Sequence, residues 1–477
     1  MGENHRNEKV LEFYGGPWMS TIPILVYILV SACLAIFFQF YSMKGLVFGA
    51  FLGLLLGFVF VKNKSRYWDV LIGSLAKFSS SKLIFTFIVI GIFTRMLTVG
   101  DIGTGFVWLS VQLHITGGLF VIFTFLATAV ISMGAGAPIA AVFAVVPIFF
   151  PPGILLGARP PVLVGAMMSG VFFGDAMSPS SQVINTTVDT QHDPITGKPA
   201  DLQIVMKQRS PYLISIAILS ILLFGIFGAQ GAKTVSASSI AQVASQCTSS
   251  GLWMLIPIVI LIVISFKKKN LFLALSYATI TGLILGLITK VFKFSDIVAI
   301  SKSPLKISGI INDGIYSMVD IIISTILLFG MIEVAVESGF VNKLCNWLLS
   351  RKFVQTKRGA SSILILGVGI INVLLSGCVL PAILLFGNIA DRIGKNANIS
   401  ADKRTYLLTG MATSVTAIIP INSAFVMGAI TLINNMKITA THSINITPLE
   451  IFQSSYYCIL LTLVCIIWIF VDQHKSK

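Results

Sequence analysis

The chain has 477 residues, of which 56% are hydrophobic and only 11% charged, with a mean hydropathy of +0.92. That balance excludes a soluble globular fold and leaves a polytopic membrane protein. The formal net charge of +15 would point to nucleic acid in a soluble protein. Here the Lys and Arg residues flank apolar runs, so membrane topology accounts for them and no nucleic-acid partner is expected.

In chain order, residues 1–17 form a polar tail with Glu3, Glu8 and Glu12 and do not read as a cleavable signal. Apolar runs follow at 20–42, 45–62, 82–99, 116–133, 138–155, 161–178 and 211–229. A Ser/Ala-rich linker, 230–251, reads as external, and further runs lie at 252–266, 271–290, 318–338, 361–376, 379–391, 404–419 and 452–471, before a short tail at 472–477. A helix needs roughly 17–25 apolar residues to cross a bilayer. Several runs are too short to span alone, so roughly 10–14 membrane segments are expected, some of them half-helices or hairpins. Basic loops at Lys62, Lys64 and Arg66, at Lys267 to Lys269, and at Arg351, Lys352, Lys357 and Arg358 are expected on the cytoplasmic side, with both termini. Lys290, Lys293, Lys302 and Lys306 fall outside on this scheme and conflict with it. Six cysteines without a C-x-x-C pair indicate neither a disulfide framework nor a zinc site.

An offset of about 235 residues persists along the chain, the mark of an internal repeat. Trp18, Met19 and Pro23 recur as Trp253, Met254 and Pro257, and Gly53 and Gly57 recur as Gly282 and Gly286. Gly91 to Gly100 lies over Gly330 to Gly339, Pro138 over Pro381, and Pro179 over Pro420. The fold class is therefore all-α and polytopic, with a first repeat over 18–229 and a second over 252–471. The Lys-poor linker makes the second copy start on the opposite side from the first, so the repeats are inverted. This plan places a binding site at the repeat interface near the bilayer midplane.

Each repeat carries two breaks. In the first, Ser132, Gly134 and Pro138 interrupt one run, and Asp175, Ser178, Pro179, Ser181, Gln182 and Asn185 interrupt another. In the second, Ser376, Gly377 and Pro381, then Thr413, Pro420, Asn422 and Ser423, occupy the matching places. Proline frees backbone groups that only protein or trapped water can satisfy, while glycine and small hydroxyl residues permit close approach and supply oxygens. Asp175 stands out, because an ionised carboxylate at the helix centre costs about 2.5–3.5 kcal/mol on insertion scales. It reads as a cation ligand, for sodium and no other metal, or proton carrier, or else as an N-cap for a helix restarting at Ser178 or a partner to an Arg. Arg95, Glu333 and Glu337 are expected to form a buried charge network between the repeats, with the alternative that Arg95 and Glu337 lie near the interface and snorkel. His114 reads as interfacial, and His5, His192, His442 and His474 as loop or tail residues.

The run from Gly165 through Gly170, Gly174, Asp175, Ser178, Pro179 and Ser181 resembles the signature of the NhaC-type sodium/proton antiporters of the ion transporter superfamily. Residues 410–423 resemble its second-half partner, most clearly at Ile419, Pro420, Ile421 and Asn422, and Glu337, Ser338 and Gly339 resemble a further family turn. The resemblance implies an inverted-repeat carrier that exchanges sodium for protons or, in some relatives, couples ions to organic acids. This chain has Ala176 where the pattern has Lys, Gln182 where it has Asp, and Gly410 where it has an acid. Asp175 is left to carry the coupling charge nearly alone, which suits a neutral or anionic solute better than bare sodium.

The sequence thus reads as a secondary active transporter of an inner, plasma-type membrane. Its partners are the lipid bilayer and a small ion or organic solute, it needs no cofactor beyond a coupling sodium ion or proton, and it admits a homodimer. The alternative carrier reading is sodium- or proton-coupled uptake of a small organic acid or amino acid. An ion channel is the rival from another class. No catalytic triad or P-loop is present, and Phe173, Gly174 and Asp175 lack the first glycine of an intramembrane aspartyl protease motif, so no enzyme is expected.

Overall fold

In the computed structural model, the residues described are 10–113, 115, 117–228, 249–268, 270–302, 305–434, 436 and 445–470. The linker over 229–248, His5, His114, His442, His474 and the tail after 470 lie outside them. The chain is an all-α polytopic membrane protein, with ten helices long and apolar enough to cross a bilayer among the described residues.

The first half runs through α1 (Ile22–Phe37), α2 (Met43–Phe60), α3 (Lys64–Gly73), α4 (Phe78–Val99), α5 (Ile102–Gln112), α6 (Gly118–Ala135), α7 (Pro138–Leu155), α8 (Pro160–Met177), α9 (Gln182–Thr190) and α10 (Leu202–Gly228). The second contains α11 (Leu255–Lys268), α12 (Leu271–Ile288), α13 (Phe294–Ile297), α14 (Ile310–Ser317), α15 (Val319–Glu337), α16 (Phe340–Leu349), α17 (Lys357–Leu374), α18 (Val379–Asn396), α19 (Ala401–Ala412), α20 (Ala424–Asn434), α21 (Pro448–Ser454) and α22 (Tyr456–Phe470). Strands β1 (Ala299–Lys302) and β2 (Leu305–Ser308) form a small antiparallel hairpin ahead of α14, in register Ala299 opposite Ser308, which the sequence reading does not anticipate. The run at 452–471 is also not one straight span, because α21 and α22 meet at 61°.

The packing repeats with the element order. α1 packs on α2 as α11 does on α12, and α6 packs on α7 and α8 as α17 does on α18 and α19. Across the halves, α9 lies on α18 while α20 lies on α7, and α8 meets α22 while α19 meets α10. The direction is reversed. α1 starts beside the end of α15, where Ser338 donates to Ser20 at 2.8 Å and Trp18 meets Phe340 edge-on at 5.2 Å. α11 starts beside the opposite end of the bundle, with Met254 against Gly100 just past α4. Because Lys77, before α4, pairs with Glu333, near the end of α15, α4 and α15 are antiparallel. The two halves therefore enter from opposite faces.

Chain direction then places Lys62, Lys64, Arg66, Lys267, Arg351 and Lys357 on the face where residues 10–16 lie, and Lys290, Lys293 and the β-hairpin on the other. Residues from 10 onward are no loose tail. Leu11 and Phe13 are buried, Phe13 bridges Val61, and the Leu11 N–H donates to the Glu337 carbonyl at 3.0 Å.

Close packing against a neighbouring helix or side chain explains the paired glycines. A Cβ on Gly53 would run into the Pro23 carbonyl, and one on Gly282 would meet Met96 and Pro257. Overpacking of this kind costs typically 1–3 kcal/mol, roughly, and occasionally more. Gly53→Val is accordingly expected to lower the melting temperature of the purified protein in detergent, whereas an unchanged melt would show that α1 and α2 do not meet at Pro23.

Candidate functional site

The two breaks are built alike. α6 ends at a tip where Gly136 adopts φ +62°, and α17 ends at a tip where Ser376 and Gly377 adopt φ +60° and +72°. A non-glycine residue there is uncommon, and Ser376 is held by a short hydroxyl contact with Tyr27. α9 restarts after the first gap and α20 after the second. The Gln182 N–H donates to the Gly136 carbonyl and the Ala424 N–H to the Ser376 carbonyl, each at 2.8 Å. Each restart is thus stitched to the hairpin tip of its own half by the first amide that its helix leaves unpaired.

Ser181 caps α9 by accepting from the Ile184 N–H at 3.4 Å, and Ser423 accepts from the Val426 N–H at 3.3 Å in α20. Both serines also reach back six residues. Ser181 donates to Asp175 Oδ2 at 2.9 Å, and Ser423 donates to the Ala417 carbonyl at 2.6 Å. Where the first half places a carboxylate, the second uses its own backbone. Asp175 is therefore not the cap of a helix beginning at Ser178, because the helix begins at Gln182 and the cap is Ser181.

Most of the remaining sequence-predicted residues close the breaks. Ser132 donates to the Val171 carbonyl at 2.7 Å and Ser178 to the Met133 carbonyl at 2.6 Å. The Gly134 carbonyl accepts from Ser265, and Asn185 donates to the Ser181 carbonyl at 2.8 Å. Thr413 donates to the Thr409 carbonyl at 2.8 Å, and Asn422 to the Val373 carbonyl at 2.8 Å. A Cβ on Gly377 would collide with the Ala417 carbonyl. What stays open is small and specific: Asp175 Oδ1 and Asn422 Oδ1 are buried without a hydrogen-bond partner among the described residues.

Gln182 sits where two cavities meet. One, of about 610 Å³, is lined by Lys82, Ser180, Gln182, Ser265 and Asn270, and opens on the face where α4 begins. The other, of about 40 Å³, lies between the halves, with Pro138 and Val183 on one side and Pro381 and Phe425 on the other. It has room for about two or three waters. Gln182 and Thr325 are the polar side chains on an otherwise apolar lining that includes Cys378.

Arg95, Glu333 and Glu337 do not form one buried network. Arg95 pairs with Asp313 at 3.3 Å, Glu333 with Lys77 at 2.5 Å and Glu337 with Arg66 at 3.6 Å. All three pairs join the halves, but they sit at helix ends, with Arg95 on the opposite face from the other two. The snorkelling alternative describes Arg95 and Glu337, since long side chains at helix ends reach water. His192 lies in the loop after α9, where its N–H donates to Asp391 at 2.9 Å. Among the described residues no cluster of His, Cys, Asp and Glu could hold a metal ion, and the described cysteines are free.

The sequence reading misses Arg209 and Asn372. Arg209, two residues ahead of Pro211, reads as a flank of the run at 211–229, yet α10 begins at Leu202 and carries it inside. It is buried and donates to the Ala176 carbonyl and to Thr409 Oγ1 at 3.2 Å. Asn372, also buried, donates to the Ala412 carbonyl at 2.8 Å and Thr416 Oγ1 at 3.0 Å, tying the end of α17 to the second break.

No family model matches the chain, and no curated protein matches it. Among solved structures it is similar to the YdaH transporter of Alcanivorax borkumensis, at 13% identity and a TM-score of 0.42, over 86% of this chain and 89% of that one.

Loss of an N-cap hydroxyl costs about 0.5–2 kcal/mol. Ser181→Ala strips a buried carboxyl of its hydrogen bond where Ser423→Ala frees only a peptide carbonyl, so it is expected to destabilise the protein more than Ser423→Ala, read as the fall in melting temperature. Equal falls would show that the bond to Asp175 is worth no more than the bond to the Ala417 carbonyl.

Proposed function

We propose that the protein is a secondary active transporter whose cargo, a small ion or organic solute, is held between the two stitched helix breaks. The observation that carries this reading is the symmetric pair of restarts at Gln182 and Ala424 around one shared cavity, entered from opposite faces by the hairpins α6–α7 and α17–α18. Interrupted helices away from lipid are the means by which a membrane protein presents backbone groups to a cargo. Inverted halves give a natural route to alternating access, with one half rocking against the other. Such a protein acts as a carrier and not as an enzyme, and it needs no cofactor beyond its coupling ion.

Asp175 is the coupling residue on this reading, in the manner of the NhaC-type antiporters that its surroundings resemble. It is buried, it keeps one carboxylate oxygen free, and it can exchange a proton for sodium. The basic face, with Lys62, Arg66, Lys267 and Arg351, is assigned to the cytoplasm of a plasma membrane, which puts both chain ends inside. A second reading is favoured by one feature. The second break offers the Ala417 carbonyl where the first offers Asp175, and Gly410 packs against Trp468 and Cys465. A site with one acid suits a small organic acid or amino acid coupled to sodium or protons.

Proteoliposomes separate the two. Sodium pulses read by a pH-sensitive dye report exchange, and radiolabelled organic acids and amino acids report uptake. Asp175→Asn is expected to lower cation-driven transport by about tenfold or more, which corresponds to ~1.4 kcal/mol. Full transport in that variant would remove Asp175 from the mechanism, and electrical currents above carrier turnover would identify a channel instead.

A further inference from the structure

Asp175 does not stand alone in its setting. Arg209 enters from α10, with its guanidinium at the Ala176 carbonyl, one residue beyond Asp175. The carboxylate and guanidinium make no ion pair within 4.0 Å among the described residues, but both are buried on helices that pack together, α8 and α10, and the buried Tyr457 lies on α22, which packs on both. Three buried polar atoms of this island have no hydrogen-bond partner among the described residues: Asp175 Oδ1, Arg209 Nε and the Tyr457 hydroxyl. A lone charge so placed is costly, and opposite charges in a low-dielectric interior attract far more strongly than in water.

We propose that Arg209 is the resident counter-cation of Asp175, and that it sets the charge selectivity of the first break by keeping the site neutral before any ion enters. It supplies from another helix the positive charge missing at Ala176. The position is shared with the second half as well, because Arg209 Nη1 donates to Thr409 of α19. A sodium ion at Asp175 must then weaken the pull of Arg209, so removing that charge leaves the carboxylate freer for sodium and more readily protonated. The selectivity clause rests on the transporter reading, whereas the pairing of charges does not. Other ionisable groups lie on the packed helices. α21 brings Glu450, α22 brings Tyr456, Tyr457, Cys458 and Cys465, α10 carries Lys207 and Tyr212 besides Arg209, α9 carries only Asp189 near its other end, α6 and α7 carry none, and α19 carries Tyr406 beyond Asp402, Lys403 and Arg404.

The test uses a hydrophobic carbodiimide, whose central carbon takes up a carboxyl oxygen as the acid's proton passes to its nitrogen, so that it labels a protonated carboxyl in an apolar setting and spares an ionised one. Full-length protein in detergent is labelled across a pH series and Asp175 is read by peptide mass. Arg209→Gln should raise the pH of half-labelling by about one unit, a tenfold change in the protonated fraction at a given pH. Arg209→Lys should label as the wild type does, and Asp175→Asn should abolish the label. Sodium chloride, set against choline chloride, should protect Asp175 at lower concentration in Arg209→Gln than in wild type. Unchanged labelling in Arg209→Gln overturns the pairing, and altered labelling with unchanged sodium protection overturns the selectivity clause. If Arg209→Gln fails to fold, recovery of folding in the double variant with Asp175→Asn supports the pairing, and failure of both variants overturns it. None of these arms needs transport, so a protein that carries neither sodium nor solute leaves the pairing result intact.

Discussion

The hydrogen bond from each restarted helix to its hairpin tip is the constraint on which the structure depends. A backbone amide left unpaired in lipid costs several kcal/mol, roughly, so a helix can stop midway only if something receives its free groups. The carbonyls of Gly136 and Ser376 do so for Gln182 and Ala424, and the left-handed backbone at both tips aims them. Once these bonds are made, the serine caps follow, and α9 and α20 are free to cross over and pack on the return helix of the opposite half. The shared cavity is a consequence of that exchange.

Symmetry in the backbone is combined with asymmetry in charge. The two breaks have the same cap and the same back-reaching serine, but the acceptor is a carboxylate in one and a peptide carbonyl in the other. Both charges at this level, Asp175 and Arg209, therefore come from the first half. The remaining ion pairs described between the halves lie at helix ends, where water lowers the cost of holding them, and each contributes about 0–1 kcal/mol. They align the halves at the rim without charging the centre.

The sequence discloses the repeat, the breaks and Asp175 because each leaves a one-dimensional mark: a glycine or proline that recurs at a similar spacing, or an acid inside an apolar run. Arg209 leaves no such mark. Its neighbours Lys207 and Pro211 make it look like the polar edge of a span, and only the turns of helix added before Pro211 draw it into the interior. Arg95, Glu333 and Glu337 show the converse. Their paired glycine-bounded segments suggest one buried cluster, but the helices run antiparallel and carry Arg95 to the opposite face. The β-hairpin at 299–308 was hidden because it is short and two-sided, and the kink between α21 and α22 falls at Ser455, where no proline announces it.

Cys378 offers the most direct measurement of whether the centre between the breaks is reached in turn from each side of the membrane. It sits just ahead of α18, lines the shared cavity and leaves open a cysteine-free background for a single reporter. Small membrane-impermeant thiol reagents, applied separately to right-side-out and inside-out vesicles holding that single-cysteine protein, should modify it from both faces. Modification from one face only, or from neither, would contradict a cavity that opens alternately.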